Sequence, residues 1–366
     1  MSSKMRVLLT GAFGNVGAHV LEHLVAQGHE VTALDVHSGH NDKRQAGLAA
    51  SRAFTTAWTD LGDAAAVSSL VTRVVPDAIV HLAAIIAPVA YAIPDKAYAV
   101  NIGGMRNLIA AARALGTPPR FVFTSSYSVH GPRNPYRHLP PLTGDSPLDP
   151  RDNYGCHKVL GERMVRDSGL PWVVVRLPAV WPTDADYGTD PAFLKFGFML
   201  SADRNCHAID SRDAALALAN AAQRDVVGRM FDVGGGPGWS GKASGLYAGM
   251  YEGRGLHPMP DSAYRLADPD VDESWYYEDI VDTAASQAAL DYQKHSVDDY
   301  CAAVRPRGPA GLVMPLLKGA IRKRMLAASP YFGTEQTPDR TEMWVRICET
   351  FGTDPGTRDC LDGEGG

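Results

Sequence analysis

The stretch Val7–Gly17, VLLTGAFGNVG, constrains this chain more than any other. Val7, Leu8 and Leu9 form an apolar run suited to a buried parallel strand. Thr10 and Gly11 turn the chain. Gly14 and Gly17 then open a helix whose apolar positions include Val16, Val20, Leu21 and Leu24. A strand, a glycine turn and a helix N-terminus make a phosphate cradle, because backbone N–H groups point outward there and the helix dipole favours negative charge. The spacing is G-x-x-G-x-x-G, not the common dinucleotide fingerprint G-x-G-x-x-G. Its placement between an apolar strand and a helix carries more weight than the glycines alone.

At 366 residues the chain has room for one large domain, or a domain with a smaller lobe. A formal charge of -6 gives no reason to expect a nucleic-acid partner. No apolar run approaches the ~18–20 residues that span a bilayer. The opening MSSKMRVLLT leaves no room for a signal peptide before the glycine turn, so a cytoplasmic protein is expected. Cys156, Cys206, Cys301, Cys348 and Cys360 are scattered without a C-x-x-C pair. They read as reduced thiols rather than a disulfide or zinc framework, and no metal site is expected.

A second strand, Glu30–Val36, ends in Asp35. An acidic side chain there can accept hydrogen bonds from the adenosine ribose of NAD and repels the 2′-phosphate of NADP. His37, Lys43 and Arg44 follow and can soften that preference. Further strands read at Phe54–Asp60, Ala78–Ala84 and Arg120–Thr124, with helices over Ala64–Val75 (N-cap Asp63) and Pro94–Leu115. The repeated β–α pattern predicts an α/β fold, a Rossmann-type doubly wound parallel sheet with a smaller C-terminal lobe. Small residues ending the Ala78–Ala84 strand let a cofactor approach the backbone at the sheet edge where such folds bind ligands.

The strand at Arg120–Thr124 runs into Ser125-Ser126-Tyr127-Ser128-Val129-His130-Gly131. After a Pro-rich loop, Asn153-Tyr154-Gly155-Cys156-His157-Lys158 opens a helix capped by Asp152 or Asn153. Tyr154 and Lys158 are four apart and share one face. A free phenol, with a pKa near ~10, is a poor acid–base group at neutral pH. A neighbouring ammonium and an oxidised nicotinamide favour the phenolate, which can take a proton from an alcohol; the phenol can give one to a ketone. A serine hydroxyl at the sheet edge can hold the same oxygen. The order of these motifs, more than Tyr-x-x-x-Lys alone, points to hydride transfer.

As a set, these segments resemble the extended short-chain dehydrogenase/reductase family, the NAD-dependent epimerase/dehydratase group. The matching residues are TGAFGNVG at 10–17, Asp35, DL at 60–61, HLAA at 81–84, Asn101, TSSYSVHG at 124–131, YGCHK at 154–158, RLP at 176–178 and SRDAA at 211–215. The resemblance implies Ser126, Tyr154 and Lys158 as the catalytic group. It implies an NAD site made by Gly11, Phe13, Gly14, Asn15, Val16, Gly17, Asp35, Asp60, Leu61, Leu82, Ala83, Ala84, Asn101, Thr124, Tyr154, Lys158, Leu177, Pro178 and Val180. Ser128, His130 and Phe193 are candidate substrate residues, although His130 also reads as a packed ring. Two departures matter. Ala179 stands where nucleotide-sugar members carry an asparagine, and Tyr127-Ser128 replaces the acidic pair of the dehydratases. The expectation is therefore an NAD-dependent dehydrogenase or reductase of a small secondary alcohol or carbonyl compound. The alternatives are an epimerase using transient oxidation and a non-catalytic dinucleotide sensor.

Three regions are expected: an NAD-binding domain over 1–180 that also receives segments near 207–236, a mainly substrate-binding lobe over 181–304, and a helical extension over 305–366. Ser240–Gly253 reads as helix, and RMFDVGGG at 229–236 as a strand into a glycine turn. Gly311–Leu326 reads as an amphipathic helix packing on its own domain or on a second subunit of a homodimer, rather than on a membrane.

Overall fold

Val7, Leu8 and Leu9 are fully buried because β1 (Arg6–Thr10) lies inside a seven-stranded sheet. The structure, a computed structural model, describes residues 4–184 and 191–356. The next elements are α1 (Asn15–Ala26), β2 (Glu30–Asp35), α2 (Gly39–Ala49), β3 (Thr55–Trp58), α3 (Ala64–Val74) and β4 (Ala78–His81). Asp63 caps α3 by accepting from the N–H groups of Ala65 and Ala66, as its position before an apolar helix predicts. Then come the short helices α4 (Val89–Ala92) and α5 (Pro94–Tyr98), a π-helical turn at Ala99–Gly104, and α6 (Met105–Arg113). The sequence reads the last three as one helix. Asn101 breaks it by turning its side chain onto the backbone of Ile85, and a π turn is the usual form of such a dislocation.

β5 (Arg120–Ser126), α7 (Asn153–Asp167), β6 (Trp172–Leu177), β7 (Ala179–Trp181), α8 (Pro191–Met199), β8 (Asn205–Asp210), α9 (Ser211–Ala221) and β9 (Arg229–Asp232) follow. The large sheet has the order β3-β2-β1-β4-β5-β6-β9, with every pairing parallel. Its two faces are covered separately. Val7 and Leu9 pack with Val20, Leu21 and Leu24 of α1 and with Leu218 of α9. Leu8 packs on the opposite side with Val67 and Leu70 of α3 and Leu108 of α6. Covering both faces is why the strands read as continuous apolar runs.

β10 (Ser240–Lys242) pairs antiparallel with β8, which pairs with β7, making a three-stranded sheet. The helix α10 (Ala243–Gly253) therefore starts later than the sequence suggests, because cross-strand hydrogen bonding captures its first turn. After α11 (Ala284–Leu290) and α12 (Val297–Val304) come α13 (Gly308–Leu326) and α14 (Met343–Phe351). No residue of α13 is fully buried, but Met325 and Leu326 at its end are partly buried against Phe198 and Tyr264, so the helix packs on its own domain along one side. In α14, by contrast, Met343, Trp344, Ile347 and Cys348 are buried.

A buried polar cluster ties α7 to β5, β6 and β9. Glu162 accepts from the Ser125 hydroxyl at 2.6 Å and from Nε and Nη2 of Arg176 at 2.8 Å each. Arg176 also donates to the Gly144 carbonyl at 3.1 Å and lies 3.5 Å from Asp232. His130 completes the cluster, with Nε2 at 3.2 Å from Asp232 and Nδ1 at 3.2 Å from the Pro147 carbonyl. Both its nitrogens are thus engaged in the interior, which removes His130 from the substrate candidates. Breaking such a cluster from one side leaves a buried charge uncompensated. Glu162→Ala should lower the unfolding free energy by about 3–5 kcal/mol in urea titrations. A loss under about 1 kcal/mol would show that Arg176 is not held by this carboxylate.

Candidate active site

Gly11 turns the chain with φ +68°, a left-handed conformation that favours glycine. A Cβ at Gly11 would lie 2.8 Å from the Ala83 nitrogen, and one at Gly17 only 2.0 Å from the Gly11 carbonyl oxygen. Backbone therefore packs on backbone, and Leu82, Ala83 and Ala84 follow β4 beside this turn. Thr10 fixes the approach: its carbonyl accepts from Leu82 N and its hydroxyl oxygen accepts from Ala83 N. Gly14 is the N-cap of α1 and brings no side-chain cap, so the first N–H groups of Asn15, Val16 and Gly17 face outward for an anionic ligand.

Asp35 accepts from the Phe13 backbone N–H at 3.0 Å, from Val36 N at 2.9 Å and from Asn41 Nδ2 at 3.1 Å. Burial raises its pKa, opposed by those hydrogen bonds. The Phe13 ring is fully buried against Phe54 and Trp58, so this residue serves the turn through its backbone and packing. Of the basic residues that follow Asp35, Arg44 pairs with Asp184 at 2.9 Å, and His37 Nε2 lies 3.3 Å from Asp42.

Other expected cofactor residues divide in two. Thr124 Oγ1 and Asn15 Oδ1 are buried with no hydrogen-bond partner among the described residues, which fits a ligand that supplies one. Leu177 ends β6 opposite Ser126, with Pro178 and Val180 just beyond. Asn101 and the Asp60–Leu61 pair act on the protein instead. Asn101 spends its amide on Ile85 N and O and lies 3.3 Å from His157 Nδ1. Asp60 accepts from Gly62 N, and the Leu61 carbonyl accepts from Asn107. These residues shape the loops at the sheet edge through hydrogen bonds within the protein.

Ser126, Tyr154 and Lys158 come together at the carboxyl end of β5. Asp152 caps α7, accepting from Gly155 N at 2.5 Å, as the sequence predicts. Gly155 lets the helix approach, since a Cβ there would lie 2.6 Å from the Ser128 carbonyl oxygen. Lys158 Nζ donates to the Thr124 carbonyl at 2.8 Å and lies 5.5 Å from the Tyr154 ring centroid. Burial lowers the Lys158 pKa to about 8. Burial also raises that of Tyr154, against a hydrogen bond with Ser126 that lowers it and the Asp152 charge that raises it. In the chain by itself, desolvation thus outweighs the expected acidifying effect of the ammonium. Around Lys158, burial and then its charge lower His81 to about 3 and His157 to about 4, so both stay neutral near pH 7.

Ser128 lies in the site, its hydroxyl 3.4 Å from that of Ser126 and hydrogen-bonded to Tyr276. Sequence reasoning missed what lies beyond it. Tyr276 also hydrogen-bonds Tyr91, whose hydroxyl donates to Asp152 at 2.6 Å. Tyr91 in turn packs against Trp344 and Phe351 of α14, each at 6.0 Å between centroids. The run Trp275-Tyr276-Tyr277 was a visible signal; Tyr91 carried none. Phe196 is the α8 ring that meets Tyr91 and Tyr276, while Phe193 is half-buried on the same helix. Cys206, Cys301 and Cys348 carry reduced thiols, as expected, and Cys360 lies outside the described residues.

Burial lifts the Asp152 pKa from 3.8 to about 6. The folded chain then holds a proton that the unfolded chain releases between those values, so this group's stabilising contribution falls as pH rises from about 4 to about 6. Asp152→Asn removes the titration. Its melting temperature relative to the parent should rise across that window, and a difference independent of pH would contradict the assignment.

Residues 7–182 match the family model described as NAD dependent epimerase/dehydratase family. D-erythronate dehydrogenase of Cupriavidus necator is 30% identical over 193 residues, covering 48% of this chain and 55% of that protein. UDP-glucose 4-epimerase of Mycolicibacterium smegmatis is 33% identical over 160 residues, covering 43% and 49%. The chain thus spans about half the length of the curated relatives it matches. Among solved structures, the UDP-Glc/GlcNAc 4-epimerase of Campylobacter jejuni superposes with a TM-score of 0.66 at 24% identity, covering 82% of this chain and 97% of that one. The UDP-glucose-4-epimerase of Stenotrophomonas maltophila, solved with bound NAD, gives 0.67 at 20% identity, covering 86% and 99%. These structures share the fold. Residues 7–182, with the glycine turn and the Tyr-x-x-x-Lys helix inside the match, are thus similar to the NAD dependent epimerase/dehydratase family.

Proposed function

We propose that the chain is an NAD-dependent oxidoreductase acting on a secondary alcohol or carbonyl group of a small molecule. The observation that carries this reading is the convergence of Ser126, Tyr154 and Lys158 at the sheet edge beside the glycine turn. The residues fit the cofactor: a cradle with no room for a Cβ at Gly17, outward N–H groups at the start of α1, and the unpaired Thr124 and Asn15 oxygens. NAD, when bound, supplies the hydride acceptor or donor.

The protein's own work is on the proton. Ser126 hydrogen-bonds the reacting oxygen and orients it. The Tyr154 hydroxyl donates its proton to a carbonyl oxygen during reduction and recovers one from the alcohol during oxidation. Burial holds Tyr154 protonated in the unliganded chain, ready to donate, and the Lys158 charge favours the phenolate left afterwards. The Thr124 carbonyl anchors that ammonium in place. Residues 1–180 bind the dinucleotide in this reading, 181–304 mainly hold the substrate, and α14 of the extension backs its aromatic wall. Relatives that are dehydrogenases and epimerases support the same proton chemistry.

Tyr154→Phe should leave NAD binding within about twofold while turnover falls by roughly two to four orders of magnitude. Unchanged turnover would sink the mechanism. Absorbance of reduced nicotinamide separates the two outcomes of hydride transfer: a net change marks a dehydrogenase or reductase, and product without net change marks an epimerase. The Asp35 carboxylate favours NAD over NADP. Asp35→Ser should raise the NADP/NAD ratio of kcat/KM by about tenfold or more, and an unaltered ratio would place the ribose away from Asp35.

A further inference from the structure

The outer side of α13 is apolar and faces solvent. Leu312 is 80% exposed and Leu316 82%, with Val313 at 46% and Leu317 at 47% beside them. Positions one, four and five apart gather on one side of a helix. The helix is nonetheless anchored. Met314 rests against Gly255, and Met325 and Leu326 pack into a cluster with Phe198 and Tyr264. Those contacts fix the exposed leucines outward.

Charge says what can cover this side. Between Asp299 and Glu335 the sequence has no acidic residue, yet it holds Arg305, Arg307, Lys318, Arg322, Lys323 and Arg324. The whole chain is at -6, so this segment is a basic island on an acidic protein. Lys323 and Arg324 are exposed at the end of the leucine stripe. Arg322, Lys323 and Phe332 line a shallow hollow beside it. A second copy meeting this helix across a twofold axis would set like charges against each other. An anionic bilayer surface answers both features, since acyl chains take the leucines and phosphate headgroups take the basic residues.

We propose that α13 is a membrane-surface helix, laid in the plane of an anionic bilayer with Leu312, Val313, Leu316 and Leu317 in the headgroup–acyl boundary. It does not span the membrane; among the described residues no helix is long and apolar enough to cross one. The stripe lies away from Ser126, Tyr154 and Lys158 in sequence and belongs to other elements, so the inference does not rest on the reading of the reaction.

The full chain is tested by co-sedimentation with vesicles of phosphatidylcholine alone and of phosphatidylcholine with phosphatidylglycerol. Binding to the anionic vesicles should be about tenfold or more tighter, and should weaken as salt rises. The double variants Leu312→Ser/Leu316→Ser and Lys323→Glu/Arg324→Glu should each lose about tenfold or more in binding, with unchanged melting temperature. The proposal is overturned by no binding to anionic vesicles at low salt, by equal binding to both compositions, or by either variant binding like the parent. It is also overturned if light scattering shows an oligomer that Leu312→Ser/Leu316→Ser dissociates, which would assign the stripe to a second copy.

Discussion

The first turn of α7 lies directly on the end of β5, and the candidate active site depends on that contact. Gly155 makes it possible, because any side chain there would strike the Ser128 carbonyl. The consequence is geometric. Tyr154 is brought to Ser126, and Lys158, one turn later, reaches the Thr124 carbonyl. Glu162, a further turn along, reaches Ser125 and Arg176. A single helix thus delivers the proposed acid–base pair and its structural anchor to successive residues of one strand. Rigid elements of this kind hold reacting groups more closely than loops do.

The same contact explains the unusual polarity of the interior. Glu162, Arg176 and Asp232, with His130, are buried behind the Tyr154–Lys158 face of α7. Their mutual hydrogen bonds offset desolvation, and their removal from solvent fixes the registration of α7 against three strands. On the other side, Tyr91, Tyr276 and Asp152 form a second hydrogen-bonded set. Tyr154, the proposed acid–base group, sits between one ionic cluster and one aromatic-hydroxyl cluster, and burial raises its pKa.

Much of this was legible in the sequence because it depends on local spacing. The glycine turn, Asp35, the strand-end serines and Tyr-x-x-x-Lys all lie where strand and helix periods place them. What was not legible depends on contacts between distant segments. Asn101 breaks its helix because Ile85 lies within reach, and no propensity encodes that. His130 is turned inward by Asp232, about a hundred residues later in the chain. Trp344 and Phe351 reach Tyr91 from a part of the chain that the family pattern does not cover. The three-stranded sheet took residues from α10 for the same reason, since pairing partners decide strand formation more than composition does.

Asp35 joins two tasks that are usually described apart. The carboxylate that would select the ribose also accepts the N–H of Phe13, inside the turn that would cradle the diphosphate. Cofactor choice and cradle shape therefore share one hydrogen bond. A lineage that exchanged this carboxylate for a cation would loosen the turn for either dinucleotide, and it would need a new acceptor for the Phe13 amide before the exchange became neutral. A change of preference at the ribose site would therefore also be felt in the shape of the turn.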